Sequence, residues 1–266
     1  MNDAGRAGAV KLASGKIAAK IRGSGPTLVM FHSLLADRTS FERIEERLAR
    51  RYRVAIPDLP GFGESAAVAG GLAAVADRMA EAIGGLGAEP PILLGNGYGG
   101  FVALQLAIRH PAAVARLILA DTGAAFAGPG RAAFRAMIAA AETKGMAAIA
   151  DTAMRRLFSP AYQAANPAVM AERRRRFLAL DPAVFRGAAA ALAALDLRAQ
   201  LKSVRVPVLV LVGSEDEATP PAMAEELAAG LPDARLLILP GLAHVPQFQD
   251  PDAFLRAIAG FLPAGA

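Results

Sequence analysis

Short apolar runs alternate with helical patterns through the first half of the chain. Thr27–Phe31, Arg53–Ile56, Pro91–Leu94 and Arg116–Ala120 are apolar over strand-sized lengths. Between them, Ser40–Arg50 has helical spacing at Phe41, Ile44 and Leu48, and Leu72–Ile83 and Phe101–Arg109 also read as helices. Val10–Lys16 and Ile17–Arg22 form a leading hairpin. From about Gly128 to Leu201 the strand pattern stops and helices follow one another: Arg131–Thr143, Met146–Phe158, Ala168–Leu178 and Pro182–Leu195. Alternation resumes with Val206–Val212 (strand), Ala222–Leu231 (helix), Arg235–Leu239 (strand) and Pro251–Leu262 (helix). This pattern predicts an α/β fold with a mostly parallel, doubly wound sheet. Residues 1–122 and 202–266 would build the core. Residues 123–201 would be a helical cap over the carboxyl ends of the strands, where open α/β sheets bind ligands.

Composition narrows the classes. At 266 residues and 54% hydrophobic, the chain can bury a large core as one unit. No apolar stretch approaches the ~20 residues of a membrane span. The N-terminal stretch MNDAGRAGAVKLASGK has no apolar h-region, and cysteine is absent. We therefore expect a cytoplasmic protein without disulfides or thiolate chemistry, and no membrane partner. The net charge is +5, and the densest basic run is Arg173–Arg176. Four consecutive residues point around a helix rather than along one face, and only Phe177 adjoins them, so a solvated face fits better than a nucleic-acid surface. The expected partner is a small-molecule substrate; the sequence does not fix the oligomeric state.

The chemistry concentrates in a few loops. Pro91–Ala107 reads PILLGNGYGGFVALQLA: a strand, a glycine-rich turn and a helix. That is the setting of a nucleophile elbow, G-x-S-x-G, but Gly97 stands where the serine belongs. Phe31-His32-Ser33-Leu34-Leu35 follows the third strand, and Asp58-Leu59-Pro60-Gly61-Phe62-Gly63-Glu64-Ser65 follows the fourth. Later come Gly213-Ser214-Glu215-Asp216 with Thr219-Pro220, then Gly241-Leu242-Ala243-His244.

In order and placement these four segments resemble the α/β-hydrolase superfamily. The short cap and the Ser33–Asp37 loop are loosely similar to the enol-lactonase and carbon–carbon bond hydrolase branch. The resemblance implies an enzyme acting on small esters, lactones or activated ketones. It implies Asp216 as the acid and His244 as the base, with Leu34 and Tyr98 giving the backbone N–H groups of an oxyanion hole. The Asp58–Ser65 loop is mainly structural in this family. Family members usually carry His-Gly where this chain has His32-Ser33, and Ser33 is a candidate substrate-binding residue. Asp121, Glu215 and Glu217 are rivals of Asp216. His110, at a helix end before Pro111, reads as structural, and His32 as a brace for its loop.

Gly95, Gly97 and Gly100 also satisfy G-x-G-x-x-G, with Asp121 some way on at a strand end, as in dinucleotide-binding turns. Several strands precede this turn, and that reading leaves His244 unexplained, so neither cofactor nor metal is expected. A glycine at the elbow leaves three readings. The His244–Asp216 pair could activate a water in the space left by the hydroxyl. The fold could be a ligand-binding pseudoenzyme. Or Gly97 could be an engineered inactivation of a serine hydrolase. The first fits best, because a pure binder needs no His–Asp pair. The turn is expected to accept a serine at position 97, since elbows normally hold one. Arg155 and Arg156 could pair a substrate carboxylate, although exposure is the default.

Overall fold

The computed structural model describes residues 8–263; residues 1–7, the first part of the stretch read for a leader, lie outside them. Eight strands form one sheet: β1 (Gly8–Leu12), β2 (Ile17–Arg22), β3 (Thr27–Phe31), β4 (Arg53–Pro57), β5 (Ile92–Asn96), β6 (Arg116–Ala120), β7 (Val208–Gly213) and β8 (Ala234–Leu239). Their order is β1-β2-β4-β3-β5-β6-β7-β8. The leading hairpin pairs antiparallel with itself and with β4; every other pairing is parallel.

The parallel strands read as unbroken apolar runs because both faces are covered. Alternate residues serve opposite cores. Val29, Phe31, Leu93, Leu117, Leu119, Val208 and Val210 face one cluster. There they pack with α2 (Gly71–Gly84), α3 (Tyr98–Arg109) and α9 (Pro221–Gly230). Leu28, Met30, Ile92, Leu94, Ile118 and Leu209 face the other, with α1 (Glu45–Leu48) and α11 (Pro251–Ala259). Between β6 and β7 run five helices: α4 (Gly128–Lys144), α5 (Ala147–Leu157), α6 (Pro160–Ala165), α7 (Pro167–Leu178) and α8 (Pro182–Ala194). No strand lies among them, although Ala125 makes an isolated bridge to Asp196 at their base. α10 (Pro246–Gln249) follows the His244 loop.

Two expectations need correction. Ser40–Arg50 is not one helix. It is a 3-10 turn, Arg38–Phe41, capped by the Asp37 carboxylate, and then the single-turn α1. The same apolar residues, Phe41, Ile44 and Leu48, are buried, so periodicity found the buried face but not the break. The Arg173–Arg176 run is not simply a solvated face either. Arg174, Arg175 and Arg176 pair with Asp151 and Glu172 near the surface. Arg173 is buried, donating to Thr39 Oγ1 (2.8 Å) and Glu42 Oε1 (2.9 Å) and lying 4.4 Å from the centre of the Phe248 ring. It ties α7 to the loop after β3. Among the described residues, no single helix is long and apolar enough to cross a membrane.

Candidate active site

The elbow is built by close approach. β5 ends at Asn96, Gly97 has φ 53° and ψ −119°, and α3 begins at Tyr98. The Gly97 N–H donates to Ala120 O (2.9 Å) and the Gly99 N–H to His32 O (3.0 Å), which draws the turn against β6 and the loop after β3. A Cβ on Gly95 would strike the Gly99–Gly100 backbone, one on Gly97 would meet His244 and Ser33, and one on Gly100 would strike the Thr122 side chain. The glycines that resemble a dinucleotide turn are thus accounted for by packing of protein against protein.

His244 is 4% exposed. Its Nδ1 lies 2.9 Å from Asp216 Oδ2 and its Nε2 3.1 Å from Ser33 Oγ. Asp216 accepts further bonds from the Thr219 hydroxyl (2.6 Å) and from the Ala218 and Thr219 N–H groups (2.7 and 3.1 Å). Burial pushes the Asp216 carboxyl up, but the neighbouring His244 and the hydrogen bonds from His244 and Thr219 outweigh it, and the net direction is down. An ionised Asp216 holds the Nδ1–H tautomer of His244 and leaves the Nε2 lone pair facing Ser33. The backbone of the histidine loop is held from below: Asn96 Nδ2 donates to His244 O (2.8 Å), and Gln247 Nε2 donates to Asn96 Oδ1 (3.1 Å). The sequence marks neither Asn96 nor Gln247 as a site residue, and Thr219 stands in it only as part of the acid-loop segment.

Of the rival acids, Asp121 is fully buried behind Asp216, at φ 52°, and accepts from the Gly213 N–H (2.9 Å). Burial, and then the charge of Asp216, push its carboxyl well above the usual range. Glu215 and Glu217 are exposed.

The loop after β3 is braced by His32. The Leu59 N–H donates to His32 Nε2 (3.1 Å), so Nδ1–H donates to Ser33 O (2.9 Å). Burial lowers the affinity of His32 for a second proton, and it stays neutral. The Asp58–Ser65 loop is stapled through Ser65, whose hydroxyl donates to Asp58 O (2.7 Å) and accepts from the Ala18 N–H (2.9 Å). His110 bonds Asp77 (2.7 Å) at the far end of α3, away from His244.

Leu34 and Tyr98 line one cavity with Ser33, Gly97 and His244. Tyr98 opens α3, so its N–H has no helical carbonyl to bond. The Leu34 N–H has no protein acceptor among the described residues. Two amide N–H groups without a protein acceptor among the described residues thus belong to residues that line the same cavity as His244. The cavity holds about 30 Å³ of free space, and Phe126, Phe134 and Met137 form its apolar walls. Arg156, from α5, also reaches it, whereas Arg155 is exposed and bonds Thr152.

The structure contradicts one expectation directly. A Cβ at position 97 would stand 2.5 Å from His244 Nε2, 2.5 Å from Ser33 Oγ and 3.0 Å from Ser33 Cβ. The turn does not accept a serine unless both neighbours move.

A doubly wound sheet with a glycine elbow and a buried His–Asp pair defines the class, and sequence comparison agrees: the chain belongs to the α/β-hydrolase fold family, whose model matches residues 26–251. The chain is 31% identical to a pimeloyl-[acyl-carrier protein] methyl ester esterase of Aeromonas hydrophila subsp. hydrophila over 90% of its own length and 96% of the esterase. It is 33% identical to the polyketide synthase ThaQ of Burkholderia thailandensis, where it spans 12% of that protein. The enol-lactonase from Burkholderia xenovorans superposes with a TM-score of 0.85 at 27% identity, covering 92% of this chain and 95% of that one.

Proposed function

We propose that this protein hydrolyses small esters or lactones, with His244, oriented by Asp216, as general base and with no covalent chemistry at residue 97. One observation carries this reading. A buried imidazole is held by an ionised carboxylate on one side and bonded to a hydroxyl on the other, beside two amide donors suited to a carbonyl oxygen that gains charge. The family relationship to an esterase and the likeness to an enol-lactonase support the substrate class. The five helices between β6 and β7 act as the cap, supplying the apolar walls and Arg156.

Arg156 refines the substrate. It is partly buried, and no hydrogen bond or ion pair from it is found among the described residues. A guanidinium facing an apolar cavity suits a carboxylate on the substrate, away from the bond that breaks.

The test is a panel of p-nitrophenyl esters and small lactones, with and without a distal carboxylate, assayed on the parent and on His244→Ala. We expect turnover in the parent and its loss in the variant. A parent that binds panel members but turns none over would favour a ligand-binding pseudoenzyme, for which the missing elbow hydroxyl is the specific argument.

A further inference from the structure

We propose that Ser33 is the nucleophile, so that the catalytic hydroxyl reaches His244 from the loop after β3 rather than from the elbow. This rests on the ester- and lactone-hydrolase reading above and names the group that the base activates.

Three observations converge on Ser33. The first is geometry. Ser33 is 1% exposed, and its Oγ lies 3.1 Å from His244 Nε2. Asp216 takes the Nδ1–H, so Nε2 presents a lone pair and the Ser33 hydroxyl donates to it. That is the proton arrangement a serine needs for activation by a neighbouring base. The second is replacement in space. The Ser33 Oγ stands 2.5 Å from where a Cβ on residue 97 would be, so the hydroxyl occupies the ground that a side chain at the elbow would claim. The third is support. The Ser33 carbonyl is fixed by neutral His32, which is itself fixed by the Leu59 N–H. The hydroxyl is therefore mounted on a rigid loop, as a precise nucleophile requires. A Ser–His–Asp unit is defined by geometry and roles rather than by position in the chain. Here the chain order is Ser33, Asp216, His244.

The chemistry balances without any further reagent. Ser33 Oγ attacks the ester carbonyl carbon while its proton passes to His244 Nε2. The carbonyl oxygen becomes an oxyanion, held by the amide donors of Leu34 and Tyr98. When the tetrahedral species collapses, the C–O bond to the alcohol breaks, and His244 gives its proton to the departing oxygen. Water then attacks the acyl group on Ser33 and yields a proton to His244. The second collapse breaks the Ser33 ester, releases the acid, and returns the proton to Ser33 Oγ. In a lactone the departing oxygen stays tethered, and the product is a hydroxy acid.

The experiment uses an alkyl fluorophosphonate, which phosphonylates an activated serine with loss of fluoride and needs no knowledge of the true substrate. The parent, Ser33→Ala, Ser33→Gly and His244→Ala are treated and digested, and the adduct is located by peptide mass spectrometry. In parallel, p-nitrophenyl acetate turnover and its pre-steady-state burst are followed. Circular dichroism checks each fold, and Ser33→Gly is the safer variant because the family usually carries glycine there. We expect one adduct on Ser33, absent from the variants, and a burst close to one equivalent in the parent. Both position-33 variants should lose turnover by ~10³-fold or more. Turnover that depends on His244 but survives both position-33 variants, with no adduct and no burst, would overturn the Ser33 assignment and leave the hydrolase reading standing. An adduct on Ser33 without turnover of any ester or lactone would support the assignment and count against that reading. A folded parent with neither adduct nor turnover would overturn both.

Discussion

The two sides of His244 are built differently. On the acid side, Asp216 sits in a nest of donors from Ala218, Thr219 and His244, in the loop after β7, where the family's order of residues puts it. On the hydroxyl side, the elbow keeps its strained turn but has no side chain, and a serine from a different loop faces the imidazole. The difference teaches that the base and its acid depend on many fixed bonds and are hard to move. The hydroxyl needs only one contact with Nε2, and two loops pass close enough to supply it. The glycine at 97 and the serine at 33 are best understood together, since each occupies space that the other would need.

Breaking the acid side should cost most. His244→Ala should lower kcat/KM on the best ester of the panel by ~10³–10⁶-fold, because base catalysis and leaving-group protonation go together. Asp216→Asn should cost ~10⁴-fold by favouring the wrong tautomer. If Asp216→Asn keeps a tenth of the activity or more, Asp216 is not the group that orients His244.

The hydroxyl side offers a sharper trial, because its two loops can be exchanged. Gly97→Ser alone should lower kcat/KM by ~10²-fold by displacing His244 from Ser33. Its crowding should also reduce stability by ~1–3 kcal/mol in urea unfolding. The double variant Ser33→Gly with Gly97→Ser removes the crowding and should recover most of both losses, with the fluorophosphonate adduct moving to the peptide that holds residue 97. Equal stability and activity in the single and double variants would mean that the two loops are not coupled.

Arg156 gives a smaller and more selective effect. Arg156→Gln should raise KM for an ester with a distal carboxylate by ~10–100-fold, the value of a hydrogen bond to a charged group. KM for the neutral analogue should hardly change. Equal losses on both esters would show that Arg156 supports the cap instead of reading charge.

How much of this was legible in the sequence follows from how local each signal is. The buried parallel strands appear as apolar runs, and the pause between β6 and β7 appears as helices without strands, so the fold was readable. α6, six residues with no apolar stripe, was not. His244, Asp216, Leu34 and Tyr98 could be named from short segments carrying a recognisable order. The coupling of Ser33 to Gly97 joins residues 64 positions apart through a contact across strands, and neither loop reveals it alone. The two departures from the family pattern, His-Gly to His-Ser and Ser to Gly at the elbow, were visible separately. Their pairing was the available signal. Arg173 shows the same limit, since its burial depends on Thr39, Glu42 and Phe248 from other loops.

The smallest effect lies deepest on the acid side. Asp121 lies behind Asp216 with its carboxyl held well above the usual range, by burial first and then by the charge of Asp216. A raised carboxyl binds its proton more tightly in the folded chain than in the unfolded one. Its contribution to stability is therefore fully present below the unfolded value of ~3.9 and is lost as pH climbs toward the folded value. Asp121→Asn keeps the shape and an acceptor for the Gly213 N–H, supplies donors toward Asp216, and suits the positive φ of 52°. It also removes the titration. Activity at neutral pH should stay within ~3-fold of the parent, as expected where a neutral hydrogen-bonding group replaces another. Stability relative to the parent should improve as the pH is raised from 4 to 8 in urea unfolding. A variant as inactive as Asp216→Asn would mean that Asp121 carries the charge on which His244 depends, and would exchange the roles of the two acids.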